Sequence, residues 1–199
     1  MKMITVFAIA ILFAFPSCNS EEKINTQKVK FGLYETINVD ELPASLIDTL
    51  KKTDIKIEKD IQQPIIGYVL QNESVEIQLD FVKENIRLVK TAYSVDNDGK
   101  YFALVAIKYN QVIDNADIQR TKNTGGNVEI HFNMKGAKKW ANMTKNNIGK
   151  MLAFTIDNEI YSMPYINDEI RSGIAMISGL KNEIIAKNLS DSLNSSLSD

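Results

Sequence analysis

The chain has 199 residues, of which 44% are hydrophobic and 24% are charged. This composition is typical of a globular protein rather than a disordered one, and the length suits one ordinary domain. The formal net charge of -2 argues against binding to duplex nucleic acid, whose phosphates are usually met by a basic protein surface.

The N-terminus has the layout of a bacterial export signal. Lys2 precedes an apolar run over residues 3–15, and Cys18 follows shortly after it. Because a membrane-spanning helix needs about 20 apolar residues, this shorter run predicts a signal peptide over residues 1–17. Cys18 is the only cysteine and lies where a lipoprotein signal places its lipid acceptor, so we predict lipidation of Cys18. The alternative is simple cleavage, or an uncleaved anchor that holds an ordinary thiol.

After the signal, the pattern predicts a tether, one domain and a tail. Residues 18–29 are polar and acidic, as expected of a solvated tether. Residues 30–193 carry the periodicity of a folded domain, and residues 194–199 are predicted to form a polar tail. Apolar runs beyond the tether are short and interrupted by charges, so we expect the mature chain to be soluble apart from its anchor. We therefore predict a cell-envelope protein, lipid-anchored to a membrane, with its domain in the periplasm or at the cell surface.

A strand and then a helix are predicted at the start of the domain. Residues 30–37 show strand-like alternation of apolar and other side chains. Asp40 is expected to cap a helix over residues 41–52. Its first turn tolerates Pro43, because the amide groups there have no partners within the helix.

Strands are also predicted in the next stretch. Residues 64–70 predict a strand, whereas residues 75–81 fit either a strand or the start of a helix. Residues 86–95 and 100–109 are rich in β-branched and aromatic side chains, and the turn-forming residues 96–99 lie between them. This last pattern predicts a β-hairpin.

The turn residues 96–99, with the sequence DNDG, raise the question of a calcium site. An EF-hand loop also alternates oxygen ligands before a glycine, but it ends with a bidentate Glu. Counted from Ser94, that last position holds Val105. We therefore predict no metal site here.

An amphipathic strand is predicted at residues 128–133, after a break at Gly125 and Gly126. Hydrophobic and polar side chains alternate in it, so His131, the only histidine, is expected to point away from the core. A general base would need an orienting partner and a nucleophile, and the sequence identifies neither. A solvated His131 is therefore favoured over a catalytic one.

Residues 134–146 have the spacing of an amphipathic helix. Trp140 is predicted to anchor this helix in the core, and an aromatic platform for sugars or peptides is the alternative. The lysines of this region predict a solvated face rather than a binding patch; they are Lys135, Lys138, Lys139, Lys145 and Lys150.

The last third of the chain predicts a hairpin, a strand and a helix. Residues 151–166 form two apolar runs around Asp157 and Asn158, a pair typical of hairpin turns. Residues 174–177 predict a further strand, and residues 180–193 an amphipathic helix. The apolar face of that helix is expected to carry Ile184, Ile185, Leu189 and Leu193. The predicted fold class is α+β, a single domain of antiparallel strands with helices.

No catalytic or cofactor motif is present in the sequence. G-x-S-x-G, P-loop, G-x-G-x-x-G and H-E-x-x-H patterns are absent, and assigning Cys18 to a lipid leaves no cysteine nucleophile. A pair of acidic side chains stays open, because Asp and Glu are numerous. We therefore predict a non-enzymatic protein without catalytic residues, cofactor or metal.

The order of elements between residues 128 and 179 is the most informative pattern in the chain. A strand, a helix, a hairpin and a glycine-closed strand follow one another, and their spacing resembles the head of the first periplasmic domain in the SecD/SecDF protein-export family. The matching family-signature residues are Asn133, Gly136, Thr144, Gly149, Asp157, Pro164, Gly173 and Gly179. Glycine permits positive φ and proline fixes its own, so we interpret these residues as turn and packing requirements rather than an active site.

The resemblance implies a SecDF P1-head-like fold and an ancestry in protein export. In that family the head is thought to contact the emerging polypeptide, and a bundle of membrane helices couples export to an ion gradient. We predict a stand-alone, lipoprotein-like version that assists export or binds unfolded polypeptide, with exported chains or Sec translocon components as partners. The alternative is an envelope binding or scaffold module with the same fold and no export role.

Overall fold

A computed structural model describes residues 28–52, 55–57, 64–70 and 85–197. Within these ranges the chain forms eleven strands, three α-helices and two 3-10 turns. The strands are β1 (Phe31–Glu35), β2 (Lys56–Ile57), β3 (Ile65–Leu70), β4 (Ile86–Lys90), β5 (Tyr101–Lys108), β6 (Ile113–Asp114), β7 (Ile118–Thr124), β8 (Asn127–Phe132), β9 (Leu152–Ile156), β10 (Glu159–Ser162) and β11 (Ile174–Ile177). The helices are α1 (Ala44–Leu50), α2 (Met134–Asn146) and α3 (Glu183–Ser195), and the 3-10 turns are Val39–Glu41 and Asn115–Asp117.

The strands form three sheets. The first sheet has the order β10-β9-β1-β6, the second β11-β8-β7 and the third β2-β3-β5-β4. All of these strand pairs are antiparallel. Antiparallel sheets with separate helices make this an α+β fold, which confirms the predicted fold class.

The first and second sheets share one hydrophobic core with α2 and α3. Phe31 of β1 and Phe154 of β9 are fully buried, and they meet the inward side chains Val128 and Ile130 of β8. Trp140 of α2 lies among them, with its ring centroid 6.0 Å from that of Phe154. Full burial of one such side chain stabilises a fold by about 2 kcal/mol, so this cluster holds the two sheets together.

Helix α3 packs on the second sheet through hydrogen bonds as well as apolar contacts. The Thr121 amide donates to Asn194 Oδ1 at 2.7 Å, and the Asn194 amide group donates back to the Thr121 carbonyl at 3.1 Å. The Thr121 hydroxyl also donates to the Ser190 carbonyl at 2.9 Å. Asn194, predicted to begin the polar tail, therefore lies within α3.

The third sheet has its own core beneath α1. Leu46 and Leu50 of α1 are completely buried against Ile66 of β3 and Leu104 of β5. This packing explains why α1 is stable although it is short, since a brief helix in water is marginal without tertiary contacts.

A smaller apolar cluster joins the third sheet to the first. Tyr34 of β1, Ile107 of β5 and Ile160 of β10 are its buried members at the junction. Two main-chain hydrogen bonds reinforce it: the Ile37 amide donates to the Ala106 carbonyl at 3.0 Å, and the Ala92 amide to the Ile160 carbonyl at 2.8 Å.

The start predicted for the first helix is wrong. Val39–Glu41 forms a 3-10 turn, and α1 begins only after Pro43, which is its N-cap residue. Leu42 is extended, with ψ of 142°, because a proline ring disfavours helical geometry at the residue before it. Asp40 therefore lies in the 3-10 turn and does not cap α1.

The last helix is also displaced from its prediction. Asn182 caps α3, accepting a hydrogen bond from the Ile185 amide at 2.9 Å, so the helix starts at Glu183 rather than at residue 180. Ile184, expected on the apolar face, is 70% exposed. The side chains that α3 buries are Ala186, Leu189, Ser190 and Leu193, so the predictions for Leu189 and Leu193 are confirmed.

Other predicted elements form where expected. Helix α2 and strand β11 have the predicted bounds, and β4–β5 and β9–β10 are antiparallel hairpins. Strand β7 has no alternating apolar pattern in the sequence, because its sequence IQRTKNT is mostly polar. The signal peptide with Cys18, and residues 75–81, lie outside the described residues. Among the residues described, no helix combines the length and the apolar composition needed to cross a bilayer.

Candidate functional site

An open cleft separates an edge of the first sheet from an edge of the second. Residues 160–166, which begin within β10, and residues 172–179, which contain β11, form its two sides. We call this cleft the seam. In the described part of the chain, β10 and β11 do not pair with each other, so the two sheets stay open along the seam.

The seam contains two adjoining cavities. The larger, of about 490 Å³, has Trp140, Phe154 and Ile170 in its floor and Tyr165 and Met176 at its sides. The smaller, of about 330 Å³, is lined by Tyr93, Tyr161 and Met163 among others, and the two share Ser178. Cavities of this size and apolar character are typical of ligand-binding sites.

Trp140 has two roles: it forms part of the floor of the seam, and it anchors the hydrophobic core. Its side chain is only 2% exposed, which confirms the predicted core role. Its ring lies edge-on to Phe154 and tilted against Phe132, with the latter centroids 5.8 Å apart. The indole N–H donates to the Ile174 carbonyl at 3.1 Å, so α2 fixes the position of β11.

The family-signature residues at the start of α2 fit the packing interpretation. Asn133 caps the helix, accepting from the Gly136 amide at 2.9 Å, and its side-chain amide donates to the Ala116 carbonyl at 2.8 Å. Gly136 packs so closely on the preceding 3-10 turn that a Cβ atom there would lie 2.2 Å from the Asp117 carbonyl oxygen. Only glycine fits without a shift of the main chain.

Two further signature residues position the start of β11. The buried Thr144 hydroxyl accepts a hydrogen bond from the Ile170 amide at 2.9 Å, which ties the segment before β11 to α2. Gly173 has φ of 69°, and a Cβ atom on it would meet the Cβ of Ala137 at 3.0 Å. The sharp entry into β11 therefore depends on these two residues.

Of the remaining signature residues, Gly149 and Pro164 support the first-sheet side of the seam, Asp157 lies outside the seam, and Gly179 lies on its second-sheet side. The Gly149 amide donates to the Ile166 carbonyl at 2.8 Å, and the Pro164 carbonyl accepts from the Leu152 amide at 3.1 Å. Asp157 lies in the β9–β10 turn with φ of 49° and accepts from the Lys30 amide at 2.8 Å. Gly179 lines the smaller cavity.

Of the other candidates from the sequence, His131 lies beside the seam. It contacts the Glu129 carboxylate on the outer face of the second sheet, and these two residues lie opposite Ile174 and Met176 of β11. Asp96 accepts hydrogen bonds from the Lys100 and Tyr101 amides, at 3.0 and 2.8 Å, and so closes the β4–β5 loop. Within the described residues there is no group of three or more His, Cys, Asp or Glu side chains that could hold a metal ion.

The lysines of α2 and the following loop serve different contacts. Lys139 pairs with the buried Asp117 carboxylate, Nζ to Oδ2 at 2.5 Å, and Lys150 pairs with Glu41 at 2.9 Å. Lys135, Lys138 and Lys145 are exposed. Because Lys139 and Lys150 are engaged in ion pairs with Asp117 and Glu41, these five lysines do not form one continuous basic patch.

Two tyrosines form the wall of the smaller cavity. The rings of Tyr93 and Tyr161 meet edge-on with centroids 5.5 Å apart, and Lys181 Nζ lies 5.3 Å from the centre of the Tyr93 ring. Burial, together with Tyr161 and the negative charge of Glu159, raises the pKa of Tyr93 to about 12. Burial likewise raises the pKa of Tyr161.

Alkaline titration checks this environment. An unfolded tyrosine has a pKa of about 10, so Tyr93 favours the folded state below pH of about 10, and that contribution is lost as pH rises to about 12. The ultraviolet difference spectrum between the wild type and Tyr93→Phe is expected to show a phenolate step near pH 12. Tyr165→Phe is the control: the Tyr165→Phe protein still contains Tyr93, so its own titration should retain the step near pH 12. A difference step near pH of about 10 would contradict the partly buried position of Tyr93.

The comparisons with known proteins agree on one family. The family model of the SecDF P1 head subdomain matches residues 90–197. The protein translocase subunit SecD of Rhodothermus marinus is 32% identical over 123 residues, which cover 58% of this chain and 19% of that protein. SecD of Leptotrichia buccalis is 29% identical over 161 residues, covering 74% of this chain and 39% of that protein. The chain spans well under half the length of these relatives.

A solved structure of similar architecture is that of SecDF, described as a membrane component that enhances protein export. It aligns with a TM-score of 0.49 and 18% identity, over 89% of this chain and 67% of that one.

Proposed function

Because the chain belongs to the SecDF P1 head subdomain family, whose model matches residues 90–197, we propose that it serves protein export in the cell envelope by binding extended, unfolded polypeptide. The binding is non-enzymatic and takes place in the seam. The observation that carries the proposal is the apolar cleft of about 490 Å³ that opens between the edges of two sheets.

The chemistry of the seam suits unfolded chains of varied sequence. Tyr165, Met176 and Ile174 are 53%, 43% and 36% exposed at its mouth. Large apolar side chains grouped at a cleft mark an interaction surface rather than a random part of the exterior. Methionine adapts its shape to different partners, so Met163 and Met176 favour a site that accepts many sequences.

The names of the relatives support a proposal for location and partners. The relatives are named protein translocase subunits SecD and SecDF, so we propose the Sec translocon or the chains it exports as partners. We also propose lipidation of Cys18, which would hold the head at a membrane where exported chains emerge unfolded.

A binding measurement with an unfolded protein tests the proposal. A fluorescently labelled test protein whose disulfides have been reduced and alkylated, so that it stays unfolded, is expected to bind the full chain. The same protein with its disulfides intact is folded and is not expected to bind, because only the unfolded form offers accessible apolar side chains. Met176→Ser is expected to weaken binding about fivefold, since it removes one exposed apolar contact worth about 1 kcal/mol.

The matched control is Met134→Ser, at a methionine that is 78% exposed outside the seam. It should leave affinity unchanged. Equal binding of the folded and unfolded forms, or no binding of either, would reject the proposal. In cells, a crosslinker placed at Met176 should capture exported chains or translocon subunits, and capture of neither above background argues for a module without an export role.

A further inference from the structure

On both sides of the seam, some main-chain groups have no hydrogen-bond partner among the residues that the structure describes. In an antiparallel ladder, alternate residues direct their N–H and C=O groups to the neighbouring strand, and the residues between them direct these groups away. The orientation along each side of the seam therefore follows from the hydrogen bonds already formed.

On the first-sheet side, residues 164 and 166 bond to the segment that leads into β9 and to its first residue. The Leu152 amide donates to the Pro164 carbonyl at 3.1 Å, and the Ile166 amide donates to the Lys150 carbonyl at 2.9 Å. Residues 163 and 165 therefore direct their main-chain groups towards the seam. Neither Met163 nor Tyr165 forms a main-chain hydrogen bond with any residue that the structure describes.

On the second-sheet side, odd-numbered residues bond to β8. The Phe132 amide donates to the Gly173 carbonyl at 3.0 Å, and Ile174 lies opposite His131 without a register shift along β11. Ile174 and Met176 therefore direct their main-chain groups towards the seam.

The two seam-facing residues of β11 differ in one respect. The Ile174 carbonyl accepts from Trp140 Nε1, and its amide donates to Ser172 Oγ at 3.3 Å. The main-chain groups of Met176 have no such partner within the described ranges.

We propose that an extended polypeptide binds in the seam as an added β-strand, bonding through its backbone to the unpaired groups of Met163, Tyr165 and Met176. This inference rests on the proposed function and specifies how the seam recognises its ligand. Backbone pairing supplies affinity without regard to sequence, and the apolar floor receives every second side chain. A helix is excluded as the ligand because its own main-chain groups are already paired.

The pairing predicts which segments bind. A segment of alternating apolar residues without proline is favoured, because proline lacks the amide that a strand donates. An unpaired strand edge is a template for another strand. The apolar side chains beside the edges of the seam strengthen the binding of an added strand there.

Proline variants of the seam test the pairing. Met176→Pro and Tyr165→Pro each remove one seam-facing amide and leave the bonds to β8 and β9 in place, a substitution that edge strands tolerate. Each is expected to weaken binding of an alternating apolar peptide about tenfold, through loss of a hydrogen bond and a clash with the ring. Met176→Ala and Tyr165→Ala are the matched controls, since they keep the amide, and should bind more tightly than the proline variants. Melting curves of all four verify folding.

A backbone-methylated peptide tests the same point on the unaltered protein. Methylation of alternate peptide nitrogens removes donors and keeps every side chain, so binding to the full wild-type chain should fall by at least about tenfold. If the unmodified peptide binds while methylation and the proline variants change nothing, strand addition is overturned and the proposed function stands. If unfolded polypeptide does not bind at all, both fall together.

Discussion

Replacement of Trp140 by alanine is expected to lower the free energy of unfolding by about 4 kcal/mol. The indole is 2% exposed and packs against both Phe132 and Phe154, so its removal leaves a cavity between the two sheets. The hydrogen bond to the Ile174 carbonyl is lost as well. Urea unfolding followed by circular dichroism measures the change.

Trp140→Phe separates the two contributions. Phenylalanine keeps an aromatic ring in the core and removes the N–H donor, so a smaller cost of about 2 kcal/mol is expected. Because the lost bond fixes β11, this variant should also weaken polypeptide binding while the protein stays folded. A cost below about 1 kcal/mol for Trp140→Ala would contradict the assigned core role.

Gly136→Ala is expected to destabilise the fold by about 3 kcal/mol. Alanine is the better helix former by about 1 kcal/mol, so helix propensity alone predicts the opposite sign. The added Cβ atom, however, would lie 2.2 Å from the Asp117 carbonyl oxygen, which belongs to the main chain and cannot rotate away. Helix α2 or the 3-10 turn Asn115–Asp117 must shift.

The control for Gly136→Ala is Lys135→Ala at the neighbouring exposed position. It should change the melting temperature little, because surface substitutions usually alter stability by less than about 0.5 kcal/mol. Thermal unfolding of both variants measures the difference. A stabilised Gly136→Ala protein would show that the turn can move away at little cost.

Local chemistry explains which elements the sequence predicted well. Strand β8 alternates strictly, with Val128, Ile130 and Phe132 buried, and α2 is bounded by a side-chain cap at Asn133. The Asp157–Asn158 pair adopts positive φ at both residues, as a two-residue hairpin turn requires. Each of these signals lies within a few residues of the structure that it specifies.

The sequence predicts poorly those elements that carry no local signal. Strand β7 is polar because one of its faces is exposed, and its buried Thr121 is held by α3, far away in sequence. The first helix is predicted to start at residue 41 with Asp40 as its cap, because the capping signal of Asp40 outweighs, in the sequence, the extended geometry that Pro43 imposes on Leu42.

The seam had no signal in the sequence at all. It exists because β10 and β11 end two different sheets and do not pair with each other within the described residues, a relation set by the packing of the whole core. The sequence identified Trp140 as a core anchor, but its contact with the Ile174 carbonyl depends on residues that are distant along the chain. Met163 and Met176 likewise fall within predicted strands, and the sequence pattern assigns neither of them to a binding site.

Both ends of the seam are bounded. The Ala92 amide bonds to the Ile160 carbonyl at one end, and at the other end the connecting residues 167–171 are tied to α2 through Ile170 and Thr144. A strand of six residues spans about 20 Å, so only a short stretch of a long polypeptide can be held at one time. Differences in affinity among related complexes arise mostly from dissociation rates, so a polypeptide bound in the proposed way through so small a footprint would dwell only briefly. It would leave by thermal motion alone, with no input of energy.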